Sequence, residues 1–95
     1  MNLRWTQSAL SDLEALEAYI SRHSTRYARG MVERIFDHAG LLENHPLLGA
    51  VAPEYSDESI RELLEKPYRI IYRVLPDRID VLAVIHAART MPGGL

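Results

Sequence analysis

The fold is decided by residues 68–86, which read YRIIYRVLPDRIDVLAVIH. The stretch from Tyr68 to Leu75 is rich in aromatic and β-branched residues and predicts a strand. A tight turn follows at Leu75-Pro76-Asp77-Arg78, and the run from Ile79 to Ile85 is almost continuously apolar. Two strands joined by so short a turn form an antiparallel hairpin.

A third strand is predicted on the amino-terminal side of this hairpin, from Ser59 to Glu65. Both of its faces mix apolar and charged residues, as is typical of a sheet edge. Residues 46–57 contain Pro46, Gly49 and Pro53 and predict a loop. Asn2–Trp5 is a further short strand candidate.

Two amphipathic helices are predicted between these regions. The first carries a stripe at helical spacing, formed by Ala9, Leu13, Leu16 and Ile20, with Thr6 or Ser8 as its cap. The second carries a similar stripe, formed by Ala28, Val32, Ile35, Ala39 and Leu42, with Ser24 or Thr25 as its cap. It should end near Asn44-His45-Pro46, because proline disfavours helical geometry at the preceding residue. The prediction is an α+β fold: a strand, a helical hairpin and a three-stranded antiparallel sheet.

Composition bounds the class of protein. Ninety-five residues, 47% hydrophobic and 25% charged, suit a single globular domain over 1–95. The chain lacks cysteine, an apolar span and a signal-peptide pattern, so we expect a cytoplasmic protein with no disulfide. No pair of histidines has metal-ligand spacing, and we expect neither a metal nor a cofactor.

Charge is distributed unevenly along the chain. The net charge is −2, but residues 1–58 sum to −4 and residues 59–95 to +2. Lys66 is the only lysine beside ten arginines, a poor composition for generic nucleic-acid binding. We therefore expect any cationic surface to be local and to lie on the carboxyl-terminal half.

Strict alternation along the hairpin predicts where that surface lies. Arg69, Ile71 and Arg73 share one face of their strand, and burying unpaired arginines is costly, so this face should point away from the helices. In the next strand, Leu82, Val84 and His86 would join it. The predicted binding surface comprises Arg61, Arg69, Ile71, Arg73, Leu82, Val84, His86 and Arg89. In the alternative interpretation, Arg69 and Arg73 are solvated or pair with Glu62 and Glu65 across the strands, and His86 is a structural hydrogen-bonding residue.

Ordered landmarks along nearly the whole chain resemble the ParE/RelE toxin superfamily, often labelled plasmid-stabilisation proteins. The landmarks are Trp5, Ala9-Leu10-Ser11-Asp12-Leu13, Tyr19-Ile20, Leu41–Gly49, Arg61-Glu62-Leu63, Tyr68–Val74, and Val81–His86 with Arg89. The resemblance implies a toxin of a type II toxin–antitoxin system that inhibits growth. It also implies a small antitoxin that wraps around the toxin, with any contact to DNA made through the antitoxin and none to a membrane.

Three functions fit this resemblance. In a ParE-like toxin, which the helices and the 68–74 strand favour, the target would be a protein such as DNA gyrase. In a RelE-like ribosome-dependent messenger-RNA endonuclease, Arg61, Arg69 and Arg73 would stabilise phosphate charge and His86 would act as acid or base. The single lysine and negative net charge depart from that second pattern. The third possibility is a non-toxic family member that acts only as an antitoxin-bound co-regulator.

Overall fold

The computed structural model describes residues 1–92, which form an α+β fold with both helices on one face of a mixed sheet. The sheet order is β1-β5-β4-β3-β2; β1 runs parallel to β5 and the other neighbours are antiparallel. The elements are β1 Asn2–Trp5, α1 Gln7–Ser21, α2 Thr25–Gly40, a 3₁₀ turn Leu41–Glu43, β2 Ala50–Val51, β3 Ile60–Glu65, β4 Tyr68–Val74 and β5 Arg78–His86. The α+β prediction is confirmed, but the sheet has five strands rather than three. Neither helix is long and apolar enough to cross a membrane within residues 1–92.

Side-chain caps fix where the two helices begin. The Thr6 hydroxyl accepts a hydrogen bond from the Ala9 amide, and the Ser24 hydroxyl accepts one from the Tyr27 amide. Thr6 also donates to the carbonyl of Val81 at 2.8 Å, which fastens the start of α1 to β5. These bonds satisfy amides that a helix terminus otherwise leaves without a partner.

The principal core lies between the helices and the sheet. It joins the predicted stripe of each helix to the strands through buried residues that include Leu13, Leu16, Met31, Ile35, Ile70, Tyr72, Ile79 and Val81. Tyr72 is fully buried, and its hydroxyl accepts a hydrogen bond from the Gly49 amide at 2.9 Å. Burial of these apolar side chains supplies the main favourable term in folding.

The predicted loop over residues 46–57 contains the short strand β2. It pairs with β3 through two residues, Ala50 with Glu62 and Val51 with Arg61. Two residues are too few for an alternating pattern, so sequence periodicity gave no signal for this strand. Gly49 was the one sequence feature that could indicate β2, since a glycine beside a strand often marks a close approach of two backbones.

A β-bulge in β5 overturns the predicted alternation. Ile71 pairs with Ala83 but Tyr72 pairs with Val81, so Leu82 is an extra residue. Val81 and Val84 therefore both lie in the core beneath the helices, although three positions apart. Beyond the bulge, Val84 and His86 lie on the helix side. The prediction that His86 shares a face with Arg69 is wrong.

Candidate functional site

The predicted binding residues fall into three separate places. Arg69, Ile71, Arg73 and Leu82 lie on the sheet face that points away from the helices, which we call the second face. Val84 and His86 lie on the helix side, with Arg89 just beyond the end of β5. Arg61 lies at the β2–β3 edge, where its guanidinium donates to the carbonyls of Gly49 and Glu58, both at 3.0 Å.

The middle of the second face is covered, whereas a cleft beside Leu64 and Arg69 opens at one end of it. Tyr55 from the β2–β3 connection and Met91 from the segment after β5 pack against a small second core. The Tyr55 hydroxyl donates a hydrogen bond to the Pro92 carbonyl, which joins the two covering segments. Ile71 is fully buried beneath them. The prediction that Ile71 and Val84 are exposed anchors is wrong, because Ile71 is covered and Val84 is buried under the helices.

Arg69 is the centre of a buried ion cluster. Only 6% of the residue is exposed, and its guanidinium donates to both oxygens of Glu54, at 2.7 and 2.8 Å, and to Glu62 at 2.8 Å. It also donates to the carbonyl of Arg89, while Glu54 accepts the amide of Met91. The cross-strand pairing with Glu62 is confirmed; Glu65 faces His38 instead. The cluster therefore ties two covering segments to the sheet. It also provides Arg69 with two carboxylate partners.

The cluster shifts the pKa values of its members. Hydrogen bonds from Arg69 lower the pKa of Glu54 to about 2, against the opposing effect of burial, and the Met91 amide adds to the lowering. The pKa of Arg69 is raised, first by its hydrogen bonds to Glu54. Hydrogen bonding to the charged form of a carboxylate stabilises that form.

This arrangement predicts an acid dependence of stability. The lowered pKa of Glu54 stabilises the fold fully above the ordinary value of 4.5, and this stabilisation is lost as pH falls toward about 2. Allowing for solvent screening, the contribution should be about 1–3 kcal/mol. In urea unfolding between pH 7 and pH 3, Glu54→Gln should lose less stability with acid than the unmodified chain. Glu14→Gln, on the exposed surface of α1, is the control and should keep the full acid dependence; equal slopes for all three would contradict the prediction.

The arginines at the other end of the second face are also largely engaged. Arg4 donates twice to Asp80 at 3.1 Å, and Arg78 donates to the same carboxylate at 3.0 Å. Arg73 lies opposite Asp80 in the β4–β5 register. On the carboxyl-terminal half, carboxylates therefore neutralise Arg69 and Arg78, whereas Arg61, Lys66, Arg73 and Arg89 form no ion pair within residues 1–92. The expected cationic surface is divided among separate places rather than collected on the second face.

A cleft of about 400 Å³ opens on the helix side, between α1 and the end of β5. We call it the α1–β5 cleft; its lining includes Asp12, Tyr19, Tyr68, Val84, His86 and Arg89. Tyr68 and His86 meet edge to face, with ring centroids 6.0 Å apart. Burial chiefly raises the pKa of Tyr68, and the nearby Tyr27 and Tyr19 add to this, so its phenol stays protonated.

Backbone groups border the same cleft. β1 pairs with β5 only as far as Val81, so within residues 1–92 no strand pairs with the outer edge from Leu82 to His86. Two groups on this edge have partners from side chains of other elements: the Leu82 carbonyl accepts from the Thr6 hydroxyl at 3.4 Å, and Asp12 accepts the Val84 amide at 2.9 Å. A free strand edge beside a lined cleft is suited to binding an extended peptide. Sequence reasoning missed Asp12 because it reads as helix surface and Tyr68 because it alternates with the core residues, and it used Tyr19 only as a landmark of the family resemblance.

A family of known proteins matches this chain over most of its length. The family model described as ParE toxin of the type II toxin–antitoxin system parDE matches residues 3–91. The chain belongs to this ParE toxin family. The predicted ParE/RelE resemblance is confirmed, and the chain is a toxin component of a type II toxin–antitoxin system.

Individual relatives agree with the family. Toxin RelE2 of Caulobacter vibrioides is 35% identical over 90% of this chain and 93% of its own length. The chromosomal ParDE system of P. aeruginosa contains a chain with a TM-score of 0.74 and 28% identity, covering 90% of this chain and 95% of its own. The YoeB/ParE toxin from Agrobacterium tumefaciens has a TM-score of 0.60 and 26% identity, covering 90% and 98%. This ParE-family chain thus shares its fold with the ParDE and YoeB/ParE structures and its sequence with a toxin of RelE name.

Proposed function

We propose that this ParE-family toxin arrests growth by binding a protein target without cleaving RNA. DNA gyrase is the target class that the ParE resemblance implies. The observation that carries the proposal is the separation of the endonuclease candidates. Arg69 is held by two carboxylates on the second face, His86 lies on the helix side, and Arg61 lies at the β2–β3 edge.

Cleavage of RNA by its 2′-hydroxyl requires these groups at one phosphate. A base must reach the hydroxyl, cations must surround the phosphorus, and an acid must reach the leaving oxygen. Side chains on opposite faces of one sheet do not meet that requirement. Arg69 would, in addition, have to leave Glu54 and Glu62 before contacting a phosphate.

We propose that the antitoxin occupies the α1–β5 cleft. The free edge from Leu82 to His86 offers backbone hydrogen bonds to an extended segment, and Arg89 offers a cation to its carboxylates. The similar P. aeruginosa structure is of a toxin–antitoxin system, which supports an antitoxin as the partner. Such a segment would order on binding and would displace Asp12 from the Val84 amide.

The target is tested with purified protein and with cells. The chain should inhibit supercoiling by DNA gyrase in vitro, and its induction alone should arrest growth with messenger RNA left intact. Full supercoiling at excess toxin, or a harmless chain, would contradict the proposal. The RelE name of the Caulobacter relative favours the ribosome-dependent endonuclease as the rival function. The messenger RNA is therefore mapped for translation-dependent cuts. Cuts that disappear in His86→Ala would establish the endonuclease instead.

A further inference from the structure

Four neighbouring cations without carboxylate partners lie on the helical hairpin within the described residues. Residues 18–32 contain Arg22, His23, Arg26 and Arg29 and no aspartate or glutamate. All four side chains are exposed, and none forms an ion pair within the described part of the chain. A protein of net charge −2 therefore carries a local positive patch on the half of the sequence that is acidic overall.

Exposed tyrosines accompany these cations. Tyr19 is 62% exposed and Tyr27 is 52% exposed, large fractions for aromatic rings. The guanidinium of Arg22 lies 5.8 Å from the centre of the Tyr19 ring, and that of Arg34 lies 5.8 Å from the Tyr27 ring. Cation–π contacts of this kind hold side chains in place before a partner arrives.

A shallow groove runs along the exposed face of α2 within this patch. It has a volume of about 400 Å³ and is lined by Thr25, Arg26, Arg29, Gly30 and Glu33. Gly30 contributes no side chain, and the guanidinium of Arg34 lies 3.5 Å from where a Cβ at this position would be. We call the surface formed by residues 19–30 and Arg34 the hairpin patch. Tyr19 also lines the α1–β5 cleft, so the two surfaces adjoin.

We infer that the hairpin patch docks an acidic surface of the protein that this toxin inhibits. Arginine and tyrosine are enriched at the energetic centres of protein interfaces, whereas lysine is depleted. Nucleic acid is disfavoured as the occupant because the chain is negative overall and the patch offers few phosphate contacts. The two cation–π contacts order the side chains of the patch in the free toxin. The free toxin is the form that binds the target. This inference rests on the proposed function.

Charge reversal in the first two turns of α2 tests the inference, with circular dichroism to show that the variant keeps its helices. Arg26→Glu places a carboxylate near the positive end of the α2 dipole, which favours the helix, and Arg29 is exposed. The double variant Arg26→Glu/Arg29→Glu should lose about tenfold or more in killing when induced in cells, since charged interface contacts govern association. The single variants Arg26→Glu and Arg29→Glu are each compared with Lys66→Glu, an exposed reversal in the β3–β4 turn that makes the same change of charge and should kill like the unmodified chain.

The outcomes separate the inference from the function on which it rests. An unmodified chain that fails to arrest growth refutes the proposed function, and the inference falls with it. If the unmodified chain and the folded double variant kill equally, only the inference is overturned. A double variant that kills but escapes its co-expressed antitoxin would assign the patch to the antitoxin. Salt-dependent binding of labelled duplex DNA that the double variant loses would assign the patch to nucleic acid; both results overturn the inference.

Discussion

Replacing Arg69 with methionine is expected to destabilise the fold by about 3–5 kcal/mol, because it leaves two buried carboxylates without their cation. Glu54 and Glu62 both depend on this guanidinium, and the side chains of all three residues are largely buried. The loss should be measured as the free energy of unfolding in urea at neutral pH. Since small domains are stable by only about 5–15 kcal/mol, unfolding of the variant should be measured at low temperature.

A second variant separates charge from packing at this site. Arg69→Met combined with Glu54→Gln and Glu62→Gln removes the stranded charges, so it should recover part of the lost stability. Arg29→Met, at an exposed position on α2, is the control and should change stability by no more than about 0.5 kcal/mol. If Arg69→Met costs no more than Arg29→Met, the cluster does not hold the covering segments as described.

The second large effect is expected at Gly49, where alanine should destabilise the fold by about 3 kcal/mol. A Cβ there would lie 2.2 Å from the backbone oxygen of Glu62 and 2.9 Å from the Tyr72 hydroxyl. Backbone cannot move aside as a flexible side chain does, so β2 would have to separate from β3. The shift would also break the Gly49 hydrogen bonds with Tyr72 and Arg61. Thermal and urea unfolding measure the loss.

Gly40 provides the matched control for this substitution. It ends α2 with a φ of −58°, and a Cβ added there meets nothing within 4 Å. Gly40→Ala should therefore stabilise the fold by up to about 1 kcal/mol, since alanine loses less backbone entropy in a helix. The same change of residue should thus have opposite signs at positions 40 and 49. Equal signs would show that the close approach at Gly49 is relieved at little cost.

Much of the fold was predictable because it depends on local chemistry. The stripes that contain Leu13 and Ile35 face the core, the caps are two of the predicted candidates, and Leu75–Arg78 connects the predicted hairpin. The ion pair between Arg69 and Glu62 could also be predicted from the sequence, because opposite charges on neighbouring strands attract. The second partner of Arg69, Glu54, could not be predicted, since it comes from a loop whose path depends on what it covers.

The sequence by itself determined the α+β class, the order of its main elements and its likeness to the toxin family. Only the tertiary structure decided which side chains share a surface. The polar residues of β5 lie only near its ends, at Arg78, Asp80 and His86, so the apolar middle gave no sign that the extra Leu82 reverses the phase between them. One inserted residue exchanges the two faces of a strand, because side chains alternate with a period of two. For that reason His86 faces α1 while Arg69 is buried on the opposite side.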